Sequence, residues 1–336
     1  MESFLRRLPK VELHLHLEGT LEPTLVFQLK ERNHTKLRYE TVEELEQAYG
    51  NYHDLQSFLD VLEDVMRVLV TSDDFYDAAW AYFQRAAEDN VRHCELFIDI
   101  QAHLNRGVTL QCQFDGLQRA CQRAERELHL TTAILISFVR HESEQSALKA
   151  FEQALEYRDY FVGIALDSSE SDNPPSKFVQ LYQRAHELGL HCVAHAGEEG
   201  PAEYVRQAIE LLHIERIDHG IHSKDDLELL DQIAQAEIPL TICPLSNVSL
   251  KVVEKIEDLP IKLFLEKNVK ITINSDDPPF FHGYILANFL AVQEAFQFSN
   301  ETWIELTRNA INAAFINDTR REELFKELET IVNDPQ

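Results

Sequence analysis

The sequence predicts an α/β protein built as a (β/α)8 barrel of the TIM type, with extra helices between the first and second strands. Three observations carry this. Short apolar runs alternate with amphipathic segments along the chain; eight such runs can be delimited; and histidines, aspartates and glycines gather where the runs end. Alternation of this kind gives a parallel sheet, and eight units close on themselves in about 250 residues. The chain has 336 residues, so the surplus is assigned to insertions.

In order, the runs are 11–17, 91–98, 131–138, 161–166, 191–196, 216–219, 238–243 and 269–274. Residues 20–90 are too long for one crossover and are expected to hold two or three helices packed over the barrel mouth. The clearest has Leu55, Phe58, Leu59, Leu62, Val65, Met66 and Leu69 on one face, a 3.6-residue period. Pro23 marks the start of an earlier helix, where its missing N–H costs nothing. Of ten glycines, Gly19, Gly197, Gly200, Gly220 and Gly283 follow run ends, which places close backbone approach or positive φ at one rim. No low-complexity stretch and no repeat of 20–50 residues interrupts the pattern, so residues 1–336 are read as a single domain.

Composition narrows the function. A formal charge of -27 repels phosphate backbones and anionic lipid, so neither nucleic acid nor membrane is expected as a partner. Small neutral molecules remain. The N-terminal residues are charged where a signal peptide is apolar, and no segment offers the ~20 apolar residues of a membrane span. Five scattered cysteines (Cys94, Cys112, Cys121, Cys192, Cys243) form no Cys-x-x-Cys pair, which suggests reduced thiols and a cytoplasmic protein.

The polar groups lie in four segments that end strand-like runs: His14, His16 and Glu18; His195 and Glu198; His219; Asp276 and Asp277. His14 and His16 stand two apart, so on a strand both point to one face, which in a barrel is the interior. With His195 and Asp276 they make a nitrogen and oxygen donor set suited to one zinc ion per chain, iron or manganese being alternatives. Water in a remaining position would be a nucleophile near neutral pH. Glu198, just past a strand end, suits a general acid if burial raises its pKa, and His219 suits the group that orients the water and accepts its proton. Each feature alone has a plain structural explanation, such as a core histidine or an Asp-Pro helix start. Together those explanations need unrelated reasons for polar groups at the same end of several strands, whereas one metal site accounts for all.

The segments His14-Leu15-His16-Leu17-Glu18-Gly19, His195-Ala196-Gly197-Glu198, Asp218-His219-Gly220, Cys243-Pro244-Leu245-Ser246-Asn247 and Ser275-Asp276-Asp277-Pro278 resemble the signature motifs of the adenosine and adenine deaminase family, among the amidohydrolase barrels. The match runs in order across nearly the whole chain. The resemblance implies zinc on His14, His16, His195 and Asp276, proton donation from Glu198 to purine N1, His219 as partner of the attacking hydroxide, and Asp277 at N7. The implied reaction is hydrolytic deamination of a 6-aminopurine in purine salvage.

Glu18 stands where adenosine deaminases carry an aspartate facing the ribose. Its extra methylene resembles the adenine deaminase branch and is expected to take up sugar volume. Leu166-Asp167-Ser168-Ser169-Glu170 resembles the same branch, with Ser168 expected to face purine N3. Ile100, Pro279, Phe280 and His282 depart from that branch without removing a catalytic group, so adenosine or an N6-modified adenine stays open as substrate. From a different class, the alternative is a purine-binding barrel without chemistry, which the complete set of ligands and acid opposes. The Pro-Cys-x-x-Cys ligands that base-flipping zinc deaminases combine with His-x-Glu do not occur.

Overall fold

The computed structural model describes residues 1–333. Eight parallel strands pair in chain order: β1 (Lys10–Glu12), β2 (Val91–Ile98), β3 (Thr131–Val139), β4 (Gly163–Asp167), β5 (His191–Ala196), β6 (Arg216–His219), β7 (Leu240–Ile242) and β8 (Ile271–Ile273). The seam between β8 and β1 is closed just past both strands. His16 N–H donates to the Asp276 carbonyl at 3.1 Å, and Asp276 N–H to the His14 carbonyl at 3.1 Å. With helices around it, this is the TIM barrel that the alternating runs predict.

The first run departs from expectation. Only Lys10–Glu12 forms a ladder, while Leu15 and His16 make isolated bridges to Asp276 and Phe97. The physical reason is Asn274, whose Oδ1 accepts the Leu13 N–H at 2.8 Å and so replaces a backbone partner one residue before His14.

The insertion also holds one helix more than expected. Pro23–Asn33, Val42–Ala48 and Leu55–Val65 precede the crossover helix Ser72–Glu88. Val42–Ala48 escapes an apolar-period search because it is short and is started by a cap, the Glu44 N–H donating to Thr41 Oγ1 at 3.2 Å. The amphipathic stretch from Leu55 stops at Val65 and tightens into a single 3-10 turn, Met66–Val68, before reaching Leu69.

Most buried apolar side chains lie between the sheet and its helices. A second, small cluster of Phe97, Leu135, Ala165 and Val193 packs with Phe315. Nearby, Arg216 and Glu95 form a fully buried pair at 2.7 Å, with Arg216 4.7 Å from the Phe315 ring and donating to the Leu13 carbonyl at 3.1 Å. Such a pair adds little net stability, but deleting one partner would strand a buried charge. All five cysteines are free and four are buried. Among the described residues no helix is long and apolar enough to cross a membrane.

Lys10 is buried at the first strand, and its ammonium donates to the carbonyls of Leu5 at 2.7 Å and Leu8 at 3.2 Å beside the helix Glu2–Arg7. Burial, opposed by the charge of Asp89, pushes its pKa from 10.5 down to about 7. Between those values the unfolded lysine carries a proton that the folded one lacks, so stability rises with pH across that window. The unfolding free energy of wild type relative to Lys10→Met is therefore expected to grow by a few kcal/mol between pH 7 and pH 10. Urea titrations of both proteins at the two pH values measure it, and a flat difference would refute the assignment.

Candidate active site

The C-terminal ends of the strands bring the polar segments to one rim. One donor atom from each of His14, His16, His195 and Asp276 lies within 4.8 Å of the others, and all four residues are buried. His14 Nε2 is 3.1 Å and His16 Nε2 3.5 Å from Asp276 Oδ1, and His16 Nε2 is 3.2 Å from His195 Nε2. His14 Nε2 has no hydrogen-bonding partner. Three converging imidazoles, one with an orphaned nitrogen, and a carboxylate fit a divalent metal.

Behind the rings stand further polar groups. His14 Nδ1 lies 2.9 Å from Thr241 Oγ1, whose hydroxyl donates to Asp218 at 2.8 Å. Asp218 is 3.7 Å from Nδ1 of both His14 and His195, and Asp167 is 3.7 Å from His16 Nδ1. Those 3.7 Å separations are longer than a hydrogen bond, so Asp218 reaches the His14 ring by hydrogen bonding through Thr241.

Glu198 Oε1 is 3.5 Å from His219 Nε2. Burial, with the charges of Asp276, Glu170 and Glu199, holds the Glu198 carboxyl well above the usual carboxylate range, which favours its protonated form. Burial and then His14 push His219 down to about 3, which leaves a neutral ring. The Asn247 side-chain nitrogen sits 3.3 Å from His219 Nδ1, placed to donate to it, and the amide oxygen is without a partner. With that oxygen turned to the ring, Nδ1–H donates and Nε2 is left to accept a proton.

Asp277 is buried, with Oδ1 unpartnered, and burial followed by the Asp276 charge raises its pKa well above normal. A Cβ at position 19 would overlap its carboxylate, which is why Gly19 stands there. Ser168, His219 and Asp276 hold φ of 73°, 63° and 68°. Left-handed backbone at non-glycine residues is strained, and such strain gathers at functional sites.

The loop carrying Glu198 is wound around one carboxylate. Glu170, fully buried, accepts the N–H groups of Gly197, Glu198, Glu199 and Gly200 at 2.9, 2.8, 2.9 and 2.7 Å. Arg140 pairs with Glu170 at 3.4 Å and donates to the His195 carbonyl at 2.7 Å, tying a metal-cluster residue to the same anchor. A Cβ at Gly200 would press on that carboxylate at 3.0 Å.

Above the rim is a cavity of ≈ 270 Å³, lined by His16, His195, Glu198, His219, Asp276 and Asp277, and by Asp99, Val139, His141, Asp167 and Ser168. Leu55, Phe58, Leu59, Leu62 and Met66 from the inserted helix and its following turn add an apolar wall. Phe280 stacks on Tyr49 at 4.0 Å and meets the Phe58 edge at 5.6 Å, Phe281 lies 4.9 Å from Phe58, and His282 Nε2 is 3.1 Å from the Tyr49 carbonyl. Phe280 and His282, two of the residues that depart from the branch pattern, thus dock this wall onto the barrel.

Of the residues singled out from sequence, His14, His16, His195, Glu198, His219, Asp276 and Asp277 come together, and Ser168 lines the same cavity with Oγ 2.9 Å from His141 Nδ1. Glu18 sits behind the wall. Its Oε1 accepts from His103 Nε2 at 2.7 Å and from the Asp99 N–H at 3.1 Å, while Oε2 has no partner. Sequence reasoning gave no role to Asp99, Asp167, Asp218, Glu170, Arg140 or Thr241. The first three obey the criterion that found the others, a polar residue at or near the end of an apolar run.

Comparison with known proteins agrees with this geometry. The family described as Adenosine deaminase matches residues 9–331. An adenine deaminase of Acinetobacter baylyi is 46% identical over 329 residues, 98% of this chain and 99% of that one. The crystal structure of an adenine deaminase from Arthrobacter aurescens superposes with a TM-score of 0.94 at 44% identity, covering 97% of this chain and 99% of its own. An amidohydrolase from Burkhoderia ambifaria with bound Zn superposes at 0.88 with 25% identity, over 99% and 95% of the two chains. The chain belongs to the adenosine deaminase family.

Proposed function

We propose that this protein deaminates adenine hydrolytically, releasing hypoxanthine and ammonia. The observation that carries the proposal is the convergence, around one buried His/His/His/Asp cluster, of a carboxyl whose pKa is raised by burial, Glu198, and a neutral imidazole, His219, 3.5 Å apart. A cavity of ≈ 270 Å³ over the cluster has room for a purine base. The likeness to proteins named adenine deaminase points the same way.

In this reading His14, His16, His195 and Asp276 would hold the metal, and zinc is the ion that their donor atoms favour. When bound, a divalent ion supplies Lewis acidity that makes water nucleophilic near neutral pH. Glu198 donates its proton to ring N1 as the water oxygen adds at C6, so that the C6–N1 π pair displaced onto N1 is neutralised as it arrives. His219 takes a proton from the water and returns it to the departing amine as the C6–N bond breaks, and the remaining hydroxyl proton restores Glu198 as the C6 carbonyl forms. Asp277 binds at N7, Ser168 at N3, and Asp218, through Thr241, orients the His14 imidazole. The free cysteines support a reducing, cytoplasmic setting, and the acidic chain favours a small neutral substrate over polyanions.

Two measurements test the reading. Ammonia release from adenine and adenosine, side by side, is expected to favour adenine, to vanish after chelation and to return with zinc; preference for adenosine overturns the substrate, and full activity of the chelated protein overturns the metal. Glu198→Gln is expected to retain metal while losing about 100-fold or more in kcat. Near-normal turnover by that variant would remove Glu198 from the acid role.

A further inference from the structure

The wall of the cavity beside His16, on the β2 to β4 side of the rim, carries an acidic pair. Asp99 follows β2 and Asp167 ends β4. Asp167 is 3% exposed, and neither of its carboxylate oxygens has a hydrogen-bonding partner. Asp99 Oδ1 is likewise buried and unpartnered. Both residues line the cavity, and a carboxylate oxygen from each lies within 4.8 Å of the other and of a His16 ring nitrogen. Buried acceptors without partners are costly, and so many on one wall call for a donor from the ligand.

Strand order says which part of the ligand reaches them. Glu198, His219 and Asp276–Asp277 follow β5, β6 and β8, whereas Asp99, His141 and Asp167–Ser168 follow or end β2, β3 and β4, across the rim. A purine whose C6 faces the first group, with N1 and N7 beside it, turns its opposite edge, N3 and N9, to the second. In free adenine N9 bears a hydrogen; in a nucleoside it bears the sugar. We propose that Asp99, with Asp167 beside it, accepts the N9–H of the free base and is the residue pair by which this enzyme distinguishes base from nucleoside. The inference rests on the adenine reading above.

This placement also changes what Glu18 does. Its Oε1 accepts the Asp99 N–H and is held by His103, whose Nδ1 accepts in turn from Arg106. Glu18 is therefore a positioning residue for Asp99, and its extra methylene relative to aspartate reaches the backbone of the second strand end instead of filling sugar volume. Selectivity of this kind is strong, because an N9-substituted purine both collides with the carboxylates and leaves them buried without a donor.

The test compares kcat/KM for adenine and 9-methyladenine in the zinc-loaded wild type, Asp99→Ala and Asp99→Asn, with circular dichroism to verify folding. Wild type is expected to prefer adenine by about 100-fold or more. In Asp99→Ala, adenine should lose most of that factor while 9-methyladenine holds or gains, so the ratio collapses; Asp99→Asn, which keeps one acceptor oxygen, should fall between. A role confined to structure would lower both substrates together and leave the ratio intact, which would overturn the inference. If Asp99→Ala does not fold, the wild-type ratio and Asp99→Asn decide: equal use of both substrates by wild type, or an unchanged ratio in Asp99→Asn, overturns the assignment of Asp99. Turnover of neither substrate by wild type would instead defeat the adenine reading itself.

Discussion

The barrel seam is the constraint on which the site depends. β1 and β8 do not pair along a continuous ladder; they meet through the backbone of His14, Leu15, His16 and Asp276, which exchange hydrogen bonds just beyond the strand ends. Three of those four residues also belong to the cluster that would bind metal. Closing the sheet and assembling the donor set are therefore one event, and the left-handed φ of Asp276 is the local cost of turning its carboxylate inward while its amide still completes the seam.

Burial then sets the proton inventory. Water is excluded from His219 and Glu198 alike, but the same desolvation acts with opposite sign on a base and on an acid. The imidazole is driven neutral and the carboxyl is driven protonated, so two groups 3.5 Å apart are prepared for complementary tasks by one environment. The Glu170 cradle keeps Glu198 in that environment, because four successive amides cannot leave the carboxylate without losing charge-assisted hydrogen bonds.

Much of this was legible in the chain. A histidine or acidic residue at or just past the end of an apolar run is conspicuous, and seven such residues, six of them histidine or aspartate, converge. Asp99, Asp167 and Asp218 are harder to single out, because a carboxylate near a strand end is also an ordinary helix cap, and only a partner in space tells the two apart. Glu170 was harder still: its role lies in four amides 27 to 30 residues away, and amides carry no side-chain signature. For Glu18 the sequence told the length of the side chain but not its direction, which is set by His103 on the short helix Ile100–Asn105. The interruption of the first strand has the same origin, a side-chain amide at Asn274 competing for a backbone donor.

The aromatic docking of the inserted helices has a thermodynamic corollary. One short peptide supplies Asp276 and Asp277 to the site and, a few residues on, Phe280, Phe281 and His282 to the helices above it. Lifting those helices unstacks Tyr49 from Phe280 and pulls on the segment that presents both aspartates. Reciprocity then requires that whatever occupies the site and steadies Asp277 also holds the helices down, by an equal coupling free energy. Passage of ligand in and out is thus tied to the state of the floor as much as to the looseness of the cover.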